Sequence, residues 1–176
     1  PIPNARSLAT SDPVLGAVIK LCETTFHACL QDGFVDCVWR ESSQWLGDAL
    51  PQSLIMASMT DDLRPLRQVI EMAAQGAYPD GILPSVLPGE VHAYTIPRYN
   101  FMWIELLSLY YQLTRDIAFV NALWPVVQKM LYAISRHCTE DHLMISPPGR
   151  RFYVDWAPVS QNQPSAVYNL HYALAL

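Results

Sequence analysis

Between residues 36 and 48 the chain reads DCVWRESSQWLGD, setting Asp36, Arg40, Glu41 and Asp48 among Trp39 and Trp45. That is a dense gathering of charge and indole for a chain with only 11 basic and 16 acidic side chains. Charge beside large aromatic groups is costly to bury and poorly used on a plain surface, so the run implies a pocket. A carboxyl held against indole rings can keep its proton and act as an acid, and Glu41 between Trp39 and Trp45 fits that role. Arg40 would oppose it if its guanidinium faced Glu41, but adjacent side chains are expected to point apart. The competing reading is a plain Arg40–Glu41 surface pair at a loop end. Asp36 and Asp48 could accept hydrogen bonds from vicinal hydroxyls, while Trp45 and the loop residue Trp156 could stack on the apolar face of a sugar ring. Asp48 also suits a helix N-cap, because Pro51, lacking an amide hydrogen, is tolerable at the third helical position.

The other polar candidates are bland. Asp80-Gly81 reads as a turn, with a rim role as the alternative. His27 and His171 lie on apolar helices and read as core histidines. His92, His137 and His142 fall in loops without metal-ligand spacing, and no metal or cofactor is expected. Cys22, Cys29, Cys37 and Cys138 form no CxxC pair; Cys22 and Cys29 read as small apolar groups on one helix face, which favours a reducing, cytoplasmic setting.

The elements that must position these residues are helical almost throughout. The 176 residues are 51% hydrophobic and 15% charged, against about 25% charged in an average protein. One all-α domain with a substantial core is expected. A helix opens at Ser11 or Asp12 with Pro13 near its first position, and Val14, Val18, Leu21, Thr25 and Ala28 repeat along it. Others are expected from about Asp48 to Met59, over 61–75 with acidic residues at its start, over 99–114, over 116–137, and over 165–176. A tight turn at Arg115–Asp116 divides the fourth from the fifth, and Pro125 is expected to kink the fifth or delay its regular part. Trp103, Trp124, Tyr110 and Tyr111 read as packing residues.

Long connections at 31–42, 76–98 and 137–164 are ordered loops of the kind that carry binding chemistry. Within the last, HLMISPP and RFYVDWAPV could pair as one short β-hairpin. The net charge of −5, with GRR at 149–151 as the sole basic cluster, argues against nucleic acid. No apolar run approaches about 18 residues, which predicts no membrane span. The start, PIPNARSLATSD, lacks the order of a secretion signal. The last helix ends without a cap signal, and six helices this apolar exceed what a small closed bundle covers, so a truncated domain is expected.

The stretch DCVWRESSQWLGDA resembles the signature of the α-L-rhamnosidase catalytic domain, glycoside hydrolase family seventy-eight: Asp36, Cys37, Arg40, Glu41, Trp45, Gly47, Asp48 and Ala49 match it in order. YYQLTRD, VDWAP and YNLHYALAL also look like family segments. The resemblance implies a six-hairpin (α/α) toroid, an inverting mechanism and a terminal α-L-rhamnose as substrate. About six helices would make residues 1–176 a partial toroid, the amino-terminal half of the barrel. It departs from the signature in having Glu41-Ser42 for two acids, Val38 for proline, and one residue fewer between Arg40 and Trp45.

The resemblance places the general acid on Glu41 and sugar contacts on Asp36, Arg40, Trp45, Asp48 and Trp156, with the second carboxylate outside this chain. The chain is therefore expected to be inactive alone and to self-associate through exposed inner-barrel faces. The alternatives are a non-catalytic helical carbohydrate-binding or scaffold fragment, or the same toroid acting on another sugar.

Overall fold

Asp12 turns the incoming chain into a helix by accepting the Val14 and Leu15 amides on one carboxylate oxygen, at 2.8 and 3.1 Å, with Pro13 at the first helical position. The computed structural model describes residues 6, 8–89 and 94–176; His92 and most of the first residues lie outside that range. Among the described residues are six helices: α1 (Pro13–Cys29), α2 (Leu46–Met59), α3 (Arg64–Gln75), α4 (Arg98–Thr114), α5 (Ile117–Ser135) and α6 (Ala166–Ala175). Two short strands, β1 (Gln44–Trp45) and β2 (Val86–Leu87), pair antiparallel, with Gln44 opposite Leu87 and Trp45 opposite Val86. The all-α expectation holds.

The core gathers on α4, which packs against α2, α3, α5 and α6. Its Phe101, Trp103, Leu106 and Leu107 are buried, and the Trp103 indole donates to the Ile70 carbonyl at 3.0 Å. From α2 and α3 come Leu46, Met56, Leu66, Val69 and Ile70; from α5 and α6 come Phe119, Met130 and Tyr168. The turn after α4 is closed by Arg115 in the left-handed region (φ 60°), and Asp116 then caps α5 through the Phe119 amide at 3.0 Å.

Several expectations need correction. The periodic stripe of α1 makes a helix but not a buried one: Val14, Val18 and Leu21 are exposed, and Phe26 and Cys29 are the buried residues. Trp124 and His27 are exposed too, whereas Trp103 and Tyr110 are buried as expected. Helix α2 begins two residues early because the Leu46 amide donates to the Ser85 carbonyl at 2.8 Å, so the helix starts directly from β1. Trp45 therefore holds the N-cap position, Asp48 sits inside the first turn, and Pro51 lies within the helix. The acidic residues before α3 also fall outside it, Asp62 bonding back to Arg64. Helix α5 starts at Ile117 and continues through Pro125, so its regular part is not delayed. By length and composition alone α5 could cross a membrane, against the sequence expectation, although Phe119, Val127, Met130 and Ile134 bury one side of it in the fold.

The hairpin over 142–159 does not form. Met144 instead bridges Cys138 and is clamped by the Asn169 side chain, which accepts the Met144 amide at 2.7 Å and donates to its carbonyl at 3.1 Å. The segment 151–154 is drawn the other way. Arg151 N–H donates to the Thr95 carbonyl, Arg98 donates to the Val154 carbonyl at 3.1 Å, and the Tyr168 hydroxyl serves both main-chain groups of Tyr153 at 3.1 Å. Long-range partners thus replace the local strand pairing.

Candidate active site

The loop between α1 and β1 folds back on itself near its start. Leu30 bridges Phe34, the Val35 amide returns to the Cys29 carbonyl, and Gln52 donates to the Val35 carbonyl at 3.0 Å. The Gln44 side chain accepts the buried Phe34 amide at 2.9 Å, so close to Gly33 that any Cβ there would collide with it. Further along, the Asp36 amide donates to the Ser43 carbonyl while Asp36 Oδ1 accepts the Ser43 amide, both at 2.9 Å. Ser42, left-handed at φ 49°, makes the reversal that returns Ser43 to Asp36. Cys37 Sγ accepts the Glu41 amide at 3.4 Å. The excursion is therefore ordered, and it presents Asp36 and Glu41 on the same side.

The result is a cleft of about 640 Å³. One wall is Asp36, Arg40, Glu41, Trp45 and Asp48; the floor is Val86, Ile96 and Tyr99, with Tyr94 beside them; the far wall is Arg151, Tyr153 and Trp156. All six residues singled out from the sequence line this one cleft. Trp39 does not, being 92% exposed, so it supplies no apolar wall for Glu41.

Glu41 is held on both carboxylate oxygens. Arg40 Nη2 donates to Oε1 and Trp45 Nε1 to Oε2, each at 2.9 Å. This corrects the expectation that Arg40 and Glu41 point apart. They form a pair on the open side of the cleft, and Trp45 adds a second donor that aims the carboxylate. To deliver a proton, Glu41 would have to release one of these donors.

Asp48 is the carboxyl pushed upward in pKa. Burial is the largest cause, followed by the neighbouring Asp36 charge, with Glu41 adding a little; its own main-chain hydrogen bond acts the other way. Three carboxyls thus share the wall, and burial beside its two acidic neighbours disfavours the charged form of Asp48. Tyr99 sits beside it with its hydroxyl pushed up to about 12, mainly by burial and then by Asp48. The Tyr99 ring meets Trp45 edge-on at 6.2 Å between centroids and packs over Gly47, where an added Cβ would fall 2.5 Å from Tyr99 Cζ. Only glycine leaves room for that ring beside the acid wall.

On the far wall Trp156 is 81% exposed and meets Tyr153 edge-on at 5.2 Å. Arg151 lies over both rings. Asp80 takes no part: it accepts the Ile82 amide in its turn and pairs with the buried Arg150 at 2.6 Å. Tyr94, Ile96, Tyr99, Arg151 and Tyr153 were missed in the sequence because they reach the cleft from segments distant along the chain. The nearest signal was Trp156, whose loop also carries Arg151 and Tyr153.

No curated protein matches the chain. Two solved structures share its fold. A GH78 family rhamnosidase of Bacillus sp. GL1 superposes with a TM-score of 0.86 at 23% identity, covering 99% of this chain and 18% of that one. A rhamnosidase from Klebsiella oxytoca with rhamnose bound gives 0.74 at 22% identity, covering 88% of this chain and 30% of that one. The chain therefore spans under a third of the length of each of these proteins. This likeness agrees with the sequence itself, which over residues 3–175 matches the bacterial alpha-L-rhamnosidase 6 hairpin glycosidase domain: the chain belongs to that family.

Proposed function

We propose that this chain forms the acid-bearing wall of an inverting α-L-rhamnosidase site and represents the amino-terminal half of the barrel. Terminal α-L-rhamnose lies between Asp36, Asp48 and the Trp45 ring, and Glu41 gives its proton to the glycosidic oxygen. The observation that carries this reading is the convergence of Asp36, Glu41, Asp48, Trp45 and Trp156 on one cleft. An inverting reaction also needs a second carboxylate about 6.5–9.5 Å away to activate water. In this reading that group comes from outside these residues, so the chain binds sugar without turning it over. Exposed Val14, Val18 and Leu21 on α1 support self-association of the isolated chain.

A second reading has Asp48 as the proton donor, favoured by its raised pKa and by the two donors already held on Glu41. The test is titration of the chain with L-rhamnose, following the indole N–H signals of Trp45 and Trp156 by NMR. Millimolar binding, on the order of 1–10 mM, is expected for one sugar in an open cleft. Absence of any shift at these indoles would leave a scaffold without a sugar site. Hydrolysis of a chromogenic rhamnoside by the chain, lost in Glu41→Gln, would overturn the expectation of inactivity; the same loss in Asp48→Asn with Glu41→Gln still active would move the acid to Asp48.

A further inference from the structure

The far wall of the cleft carries a cation that the proposed chemistry leaves unused. Arg151 is partly buried, with its guanidinium carbon 5.1 Å from the Tyr153 ring centroid and 5.5 Å from that of Trp156. Its main-chain N–H is anchored on the Thr95 carbonyl at 2.9 Å. The other guanidinium of the cleft, Arg40, is committed to Glu41. Arg151 has no carboxylate partner among the described residues. A cation held beside aromatic rings keeps its N–H groups, up to five donors, for a planar anion.

We propose that Arg151 is the recognition point for a carboxylate on the sugar attached to the rhamnose, so that the preferred ligand is rhamnose linked to a uronic acid. This rests on the proposed rhamnosidase reading and adds the identity of the leaving sugar. With rhamnose against the acid wall and its glycosidic oxygen at Glu41, the next ring extends toward the open side, where Trp156 offers an exposed indole. Asp36 and Asp48 both face the cleft, and a uronate would be repelled there unless a cation met it further out. Arg151 is the lining cation free to do so. Its aromatic neighbours hold the guanidinium in place, so little mobility is lost when a carboxylate docks on two parallel N–H groups. A neutral sugar would use Trp156 alone and leave that edge to water.

The experiment is calorimetric titration of the chain with L-rhamnose, with rhamnosyl-glucuronic acid and with rhamnosyl-glucose. The uronate disaccharide is expected to bind about tenfold tighter than the neutral one at low salt. That ratio should fall as salt screens the contact. It should collapse toward one in Arg151→Gln and be partly kept in Arg151→Lys, which retains charge without the planar fork. Equal affinities for the two disaccharides in a chain that binds rhamnose would overturn this inference alone. A preference that survives Arg151→Gln would overturn it as well. Failure of all three ligands to bind would remove the rhamnosidase reading and this inference together.

Discussion

The Trp45 indole donates to Glu41 Oε2 at 2.9 Å, so the N-cap residue of α2 aims the carboxylate four positions earlier in the loop. Ring and donor are separable in Trp45→Phe, which keeps an aromatic face but loses the N–H. Rhamnose affinity is expected to fall about three- to tenfold, the range for a charge-assisted hydrogen bond at a part-exposed site. Calorimetry checks it, and an unchanged affinity would mean that the bond does not orient a group that matters.

Gly47→Ala places a methyl group against the Tyr99 ring. The ring is buried and packed edge-on against Trp45, so it cannot move aside freely. A loss of about 1–3 kcal/mol is expected, the usual cost of overpacking, read as a lower denaturation midpoint. Removing the ring as well, in Gly47→Ala with Tyr99→Ala, should cost less than the sum of the two single changes.

Asn100 joins the loop ahead of β2 to α4. Its buried side chain accepts the Leu83 amide at 2.7 Å and donates to the Leu83 carbonyl at 3.2 Å. Asn100→Leu fills similar space but strands both main-chain groups, and a loss of about 2–4 kcal/mol in thermal or denaturant unfolding is expected. Because this loop leads into the cleft floor, sugar binding should weaken in the same variant.

Asp48 gives a pH signature. Its carboxyl titrates above its ordinary value of 3.8 because burial, Asp36 and Glu41 disfavour the charge. A carboxyl raised in this way favours folding while both states keep the proton, and that contribution is lost as the pH rises through the folded-state value. Asp48→Asn removes the charge, so its unfolding midpoint should exceed wild type at pH 7, with a smaller difference near pH 3.5. Rhamnose binding should weaken in the same protein, separating what suits the fold from what suits the sugar.

How much of this was written locally in the chain differs by element. The helices were legible because apolar spacing, the Asp12 cap and the turn at Arg115–Asp116 are local signals. The acid wall was legible because the residues from Asp36 to Asp48 are close in sequence. What escaped depends on distant partners. The start of α2 is set by Ser85, which a capping rule applied to Asp48 and Pro51 cannot know. The course of 151–154 is set by Thr95, Arg98 and Tyr168, so a pattern that suits a hairpin was drawn elsewhere. The exposed stripe of α1 shows the converse: periodicity reports that a helix has an apolar side, not that something in these residues covers it.

The β1–β2 latch has a consequence of its own. Trp45 and Val86 face each other across it, so the acid-bearing side of the cleft and its floor are fastened into a single block. The opposite bank, 151–159, forms no strand pair; the Thr95 carbonyl and the Arg98 and Tyr168 side chains moor its first residues, and its tip carries Trp156. Under the proposed reading, substitutions there would retune which neighbour of the sugar is welcomed while the acid wall stays in register. In that reading, the acid and the choice of neighbouring sugar would thus be lodged on pieces of chain that can change independently.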